Sequence, residues 1–140
     1  MWLKIKTQYL IFKYFRSKKD RYFIIRRNKK DQHYEESYDS GKWLIFINKK
    51  HMKPVLKKIL RLFFEQKVGC LVEVGNFYNE EYKRGLIEIY TPDRDNVSEI
   101  MSVRSKLRDI GFINGMPYKD NEKSLDHEYS GGERISTYYC

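Results

Sequence analysis

Apolar residues along this chain recur at two different spacings, and the points where the spacing changes divide it into elements. Between residues 52 and 66, Met52, Val55, Leu56, Ile59, Leu60, Phe63 and Phe64 follow one another at alternating intervals of three and one, which predicts a helix with one broad apolar face. Pro54 falls in its first turn, where a missing N–H costs little, and Gly69 stops it. A second helix is predicted to start at a cap on Asp95 or Asn96. Its inward positions are Val97, Ile100, Met101, Val103, Leu107 and Ile110, and Gly111 is its left-handed stop. Short runs rich in β-branched and aromatic residues at 22–27, 42–48, 70–74, 86–91 and 134–139 predict strands, with Pro92 ending the fourth because it cannot donate to a continuing ladder. Residues 112–132 have little periodicity of either kind.

The resulting order is β-β-α-β-β-α-β. Hairpin-length links join neighbours antiparallel, so the expected fold class is α+β, a largely antiparallel sheet backed by two helices. The first two strands can form a hairpin across the polar stretch 28–40, and the third and fourth across 75–84. Ahead of these elements, Trp2, Ile5, Tyr9, Phe12 and Phe15 recur at intervals of three and four, which suits an N-terminal helix. The expected division is a basic aromatic arm or helix at 1–20 and a single α+β domain at 21–140.

Charge sharpens that division. The chain of 140 residues carries a net charge of +9, but residues 1–30 hold eleven Lys or Arg against Asp20 alone, leaving seventeen basic and eighteen acidic groups for the rest. The body is close to neutral and the arm is basic. A hydrophobic fraction of 41% and an aromatic fraction of 16% are too rich for a disordered chain. Cys70 and Cys140 stand at no metal-ligand or redox spacing, which suits a reducing, cytoplasmic setting. Lys4, Lys6 and Lys13 interrupt the apolar start, so neither a signal peptide nor a membrane span is expected.

Signatures of P-loop, dinucleotide-binding, zinc and α/β-hydrolase chemistry are missing from the sequence. His33, His51 and His127 are isolated from one another and are expected to be surface residues. No catalytic residue, metal ligand or cofactor is therefore assigned. What remains are cations. Lys13, Arg16, Lys18 and Lys19 stand among the aromatics of the arm, a composition that suits phosphate neutralisation with base stacking, or equally a helix packed by its aromatic side. Lys50, Lys53, Lys57 and Arg61 repeat at intervals of three or four, and so form one stripe along the first long helix, with Lys49 and Lys58 beside it. Lys42 and Trp43 open a strand and place an ammonium and an indole together, the indole either stacking on a base or filling the core. Lys119 and Arg134 lie beside glycines that either let backbone amides approach a phosphate or simply form a turn.

Several short motifs follow one another along the chain, each occurring once. They are Tyr22-x-Ile24-Ile25-Arg26, Gly41-Lys42-Trp43, Ile89-Tyr90-Thr91, Gly111-x-x-x-Gly115-x-Pro117-Tyr118-Lys119 and Arg134-Ile135-Ser136-x-Tyr138-Tyr139. Together they resemble, over roughly residues 20–140, the family of the human basophilic-leukaemia-expressed protein, whose prokaryotic members carry the label phosphothreonine lyase domain protein. The resemblance leaves the basic arm unmatched. It implies a curved antiparallel sheet backed by helices, similar to the fold of the cap-binding translation initiation factor. It also implies a comparison with lyases that use a lysine base, a histidine acid and arginines on the phosphate. Matched to those motifs, Asn48 stands at the acid position and Glu73 near the base. The arginine of the final motif falls near Tyr139, with Arg134 as a displaced phosphate contact. An amide cannot deliver a proton, so both acid and base are missing from this pattern.

The sequence thus points to a non-catalytic binding module for a phosphate-bearing ligand, RNA or a nucleotide. Arg26, Lys42, Trp43, Lys119 and Arg134 are its pocket candidates, and the arm and the helix stripe its nucleic-acid surface. Two alternatives stay open. One is a lyase-like enzyme with His51, Lys42 or Lys119 moving the proton; the other is a protein-interaction domain.

Overall fold

The computed structural model describes Tyr9 and residues 22–25, 40–66, 68–75, 84–112, 115–120 and 138–139. Six strands form one sheet: β1 (Tyr22–Ile25), β2 (Gly41–Asn48), β3 (Leu71–Gly75), β4 (Arg84–Thr91), β5 (Pro117–Asp120) and β6 (Tyr138–Tyr139). Their order across the sheet is β1-β3-β4-β2-β5-β6, and every neighbouring pair is antiparallel. Two helices, α1 (Met52–Glu65) and α2 (Val97–Asp109), cover one face. The fold is therefore the expected α+β class, a curved antiparallel sheet backed by two helices.

Strand alternation decides what each face receives. Trp43, Ile45 and Ile47 of β2, Val72 and Val74 of β3, and Ile87 and Ile89 of β4 point to the helices and join one buried cluster with Met52, Leu56, Ile59, Leu60 and Phe63 of α1 and Ile100, Val103 and Leu107 of α2. Lys42, Leu44 and Phe46, alternating with them, fall on the other face. The α1 face extends slightly beyond the predicted one, since Leu62 is also buried. Helix α2 begins as its sequence suggests: the Asn96 side chain accepts from the Glu99 N–H at 3.2 Å, and Gly111 ends the helix at φ 106°. Val97, expected to face inward, is instead 46% exposed, because it occupies the first turn beyond the cap.

Two glycines mark close packing. A Cβ on Gly41 would meet the Tyr118 phenol, and one on Gly85 would meet Met52 Cε. Tyr118 itself lies edge-on to Trp43, with ring centroids 5.2 Å apart, and its hydroxyl shares a 2.7 Å hydrogen bond with Thr91 Oγ1.

Pairing differs from expectation in two places. Strands β1 and β2 do not form a hairpin: β1 pairs with β3 at the sheet edge, while β2 pairs with β4 along all eight of its residues. The long link between β1 and β2 leaves their pairing open, and the ladder with the equally long β4 satisfies far more of β2's backbone than the short β1 would. The second difference is β5, a strand inside the stretch expected to be aperiodic. It places Tyr118 and Asp120 in buried positions and Pro117 and Lys119 in half-buried ones, with Pro117 at the first position, where its missing N–H is tolerated. The predicted N-terminal helix lies outside the described residues except for Tyr9, which is helical and exposed.

Candidate functional site

The stripe on α1 is the most extensive cationic feature among the described residues. Lys50, in the short 3-10 turn Lys49–His51 before the helix, is followed by Lys53, Lys57 and Arg61 at successive turns. Lys50, Lys53 and Arg61 are exposed and Lys57 is half-buried. Among the described residues none of these four side chains has an ion-pair or hydrogen-bond partner. The first turn of α1 holds no acid, so no carboxylate there offsets Lys50, Lys53 or the positive end of the helix dipole, and the helix's one acid, Glu65, lies a turn beyond Arg61 at the other end.

At its C-terminal end the stripe runs into an open groove of about 330 Å³ between the ends of the two helices, lined by Lys58, Arg61, Leu62, Glu65, Gln66 and Ile110. Arg61 belongs to both features. Lys58, Arg61, Leu62 and Glu65 are spaced three and four apart, so one line of α1 forms a wall of the groove, and Ile110 reaches it from beyond α2.

The sheet face away from the helices carries a different arrangement. Glu73 and Glu88 are cross-strand neighbours, and the Tyr90 hydroxyl lies 2.7 Å from Glu73 Oε2 and 2.9 Å from Glu88 Oε2. Lys42 Nζ approaches that hydroxyl at 3.4 Å, Glu88 Oε2 at 3.6 Å and the Tyr90 ring at 5.3 Å. Two carboxylates opposite one another repel, and the phenol and ammonium between them offset that repulsion. Leu44 and Leu71 are buried on this face, whereas Ile24 and Phe46 are 47% and 53% exposed.

Of the pocket candidates, the structure brings Lys42 and Lys119 together as cross-strand partners of β2 and β5. Trp43 is separated from them. It is fully buried on the helix face, and its indole N–H donates to the Ile100 carbonyl at 3.0 Å, so it fills the core and presents no stacking surface. Arg26, Arg134 and the arm residues Lys13, Arg16, Lys18 and Lys19 lie outside the described residues, as do His33 and His127. Asn48 caps the turn after β2 by accepting from the Lys50 N–H at 3.1 Å. Lys42 and Asn48 are six residues apart on one strand, about 20 Å at the usual rise, so Lys42 and His51 do not converge on one reacting group. Among the described residues no cluster of His, Cys, Asp and Glu is placed to hold a metal, and no helix is long and apolar enough to cross a membrane.

Sequence reasoning missed the Glu73–Tyr90–Glu88 network, although its signal was present. A glutamate between valines in β3 and another between isoleucines in β4 each break an apolar run, and such charges need partners. The groove left no signal of that kind, because its walls come from distant parts of the chain.

Residues 28–121, a span of 94 of the 140, match the family described as basophilic leukemia-expressed protein Bles03. The chain belongs to that family. No curated protein matches it in sequence. In fold, this Bles03-family chain is similar to schistosome eIF4E complexed with m7GpppA and 4E-BP, with a TM-score of 0.58 and 10% identity over 75% of this chain and 61% of that one. It is also similar to Caenorhabditis elegans eIF4E-3 bound to the 4E-binding protein Mextli, with a TM-score of 0.51 and 16% identity over 75% and 60% of the two chains. The same eIF4E-3 with Mextli and a cap analog gives a TM-score of 0.50 at 16% identity over 75% and 59%. The chain spans about three fifths of the length of these structures. At such identities the likeness is one of fold.

Proposed function

We propose that this protein is a non-catalytic binding module for a phosphate-bearing ligand, RNA or a nucleotide. The observation that carries the reading is the unpaired stripe of Lys50, Lys53, Lys57 and Arg61. Lys50, Lys53 and Lys57, with no acid in the first turn of α1, repel one another along the helix, a cost that a polyanion removes, and Arg61 continues their line with Glu65 one turn beyond it. The fold supports the same reading, since structures of similar architecture hold m7GpppA or a cap analog. Lys42 and Lys119 remain secondary phosphate contacts, because Lys42 is already engaged by Glu88 and Tyr90.

Binding of a single-stranded RNA to the full chain tests this directly. Four neutralised phosphates give a log–log salt slope of about −2.8, or about a fiftyfold loss of affinity between about 50 and 200 mM salt. Affinity that is flat across that range removes the proposal.

A further inference from the structure

The groove at the end of the α1 stripe has its own chemistry, distinct from that of the sheet face. Two of its lining residues, Lys58 and Arg61, are exposed cations, and Glu65 and Gln66 beyond them are exposed polar groups. Among the described residues none of these four side chains has a hydrogen-bond or ion-pair partner. The remaining two, Leu62 and Ile110, give it an apolar part, with Leu62 buried in the core and Ile110 half-buried. A volume of about 330 Å³ falls at the lower end of the range for small-molecule sites. A planar ring with one phosphate attached is the kind of ligand that combines such a size with one apolar surface, polar edges and an anion.

We infer that this groove takes one nucleobase, with its adjoining phosphate held by Lys58 and Arg61. The base lies against Leu62 and Ile110, and the Gln66 amide and the Glu65 carboxylate meet its polar edge. Both donors and acceptors are then available to it. The Arg61 fork suits two phosphate oxygens, while Lys58 acts as a point charge. Polarity fixes the orientation, because Glu65 repels the phosphate from the far end. In a strand, the remaining backbone continues along α1, where Arg61, Lys57 and Lys53 are each one turn, about 6 Å, apart. The site rests on the reading of the stripe as a phosphate-binding surface and names what lies at its end. A free nucleotide and a nucleotide within a single strand present the same chemistry to it.

Fluorescence anisotropy with the full chain compares a short single-stranded RNA with an abasic strand of equal phosphate number. The base-bearing strand binds about fivefold tighter, from the apolar area of the ring that leaves water. Gln66→Trp, which fills the groove from an exposed position, abolishes that difference and leaves the abasic strand's affinity unchanged. Gln66→Ala, which removes only the amide, narrows the difference and serves if the tryptophan variant melts early. Equal affinities for the two strands overturn the groove site while leaving the stripe standing; if neither strand binds, both readings fall. A difference that persists undiminished in Gln66→Trp also overturns the site, as does displacement of the RNA by a poly-glutamate peptide of matched charge with equal potency. NMR titration separates the two sources. Shifts at the Ile110 methyls with a nucleoside monophosphate, and none with inorganic phosphate, show that a free nucleotide enters. Shifts there only with the strand show that the backbone along α1 is needed, and shifts with neither overturn the proposal.

Discussion

The phenol of Tyr118 lies directly over the α-carbon of Gly41, so close that β2 and β5 fit together only because position 41 has no side chain. The same hydroxyl is hydrogen-bonded to Thr91, and the ring stands edge-on to Trp43. Replacing Gly41 by Ala forces this group apart. An overpacked core site of this kind costs about 3 kcal/mol, measured as a shift in the midpoint of denaturant unfolding. Unchanged stability would mean that Tyr118 has room to move.

Trp43 separates a core role from a ligand role. Trp43→Phe removes the N–H that the Ile100 carbonyl accepts and leaves a small void, at about 2 kcal/mol of stability. RNA affinity measured well below the melting temperature stays within about twofold of the native value, because the indole faces the helices. A large loss of affinity in a folded Trp43→Phe variant would restore the stacking role considered from the sequence.

Stability and binding oppose one another at Lys53. This exposed lysine lies in the first turn of α1, with Lys57 one turn on and no acid in that turn. Lys53→Glu places a negative charge at the positive end of the helix and converts a repulsive pair into an attractive one. The expected result is about 0.5 to 1 kcal/mol of added stability, together with weaker RNA binding. Thermal melts and anisotropy on one variant test both halves.

Removing the whole stripe tests its contribution to the salt dependence. Substituting Lys50, Lys53, Lys57 and Arg61 together by Ala lowers the magnitude of the salt slope by about 3 and leaves the fold intact, as read from circular dichroism. A slope that does not change would place the phosphate contacts elsewhere on the chain.

The carboxylate pair on the open sheet face is held by one phenol. Tyr90→Phe leaves Glu73 and Glu88 facing one another without that donor, at about 2 kcal/mol. Adding Glu73→Gln supplies a donor and removes a charge, so the double variant recovers most of the loss. A double-mutant cycle by denaturant unfolding measures the coupling.

What the chain revealed in advance follows from how local each signal is. Helix α1 was legible because Met52 to Phe63 carry its buried face within one continuous run, and the start of α2 because Asn96 caps it through a residue three positions on. The stripe was legible for the same reason. Strand β5 was not, since four residues beginning with Pro117 and ending in Lys119 and Asp120 read as a turn until β2 supplies a ladder for them. The β1–β2 pairing was misread because adjacency along the chain was the only guide to it. At the candidate site, the cations could be read from spacing, but the groove needs Ile110 brought beside Leu62, which only the packing of α2 on the sheet accomplishes.

The placement of β2 between β4 and β5 also has a bearing on synthesis. During translation Gly41 emerges well before Tyr118, and until residues 117–120 leave the ribosome β2 lacks the neighbour that closes over its first three residues. Completing the sheet is thus a late event that joins segments nearly eighty residues apart, a long-range closure of the kind that slows folding. A nascent chain halted before Pro117 would expose a backbone edge beside Trp43, a natural point for a chaperone to engage.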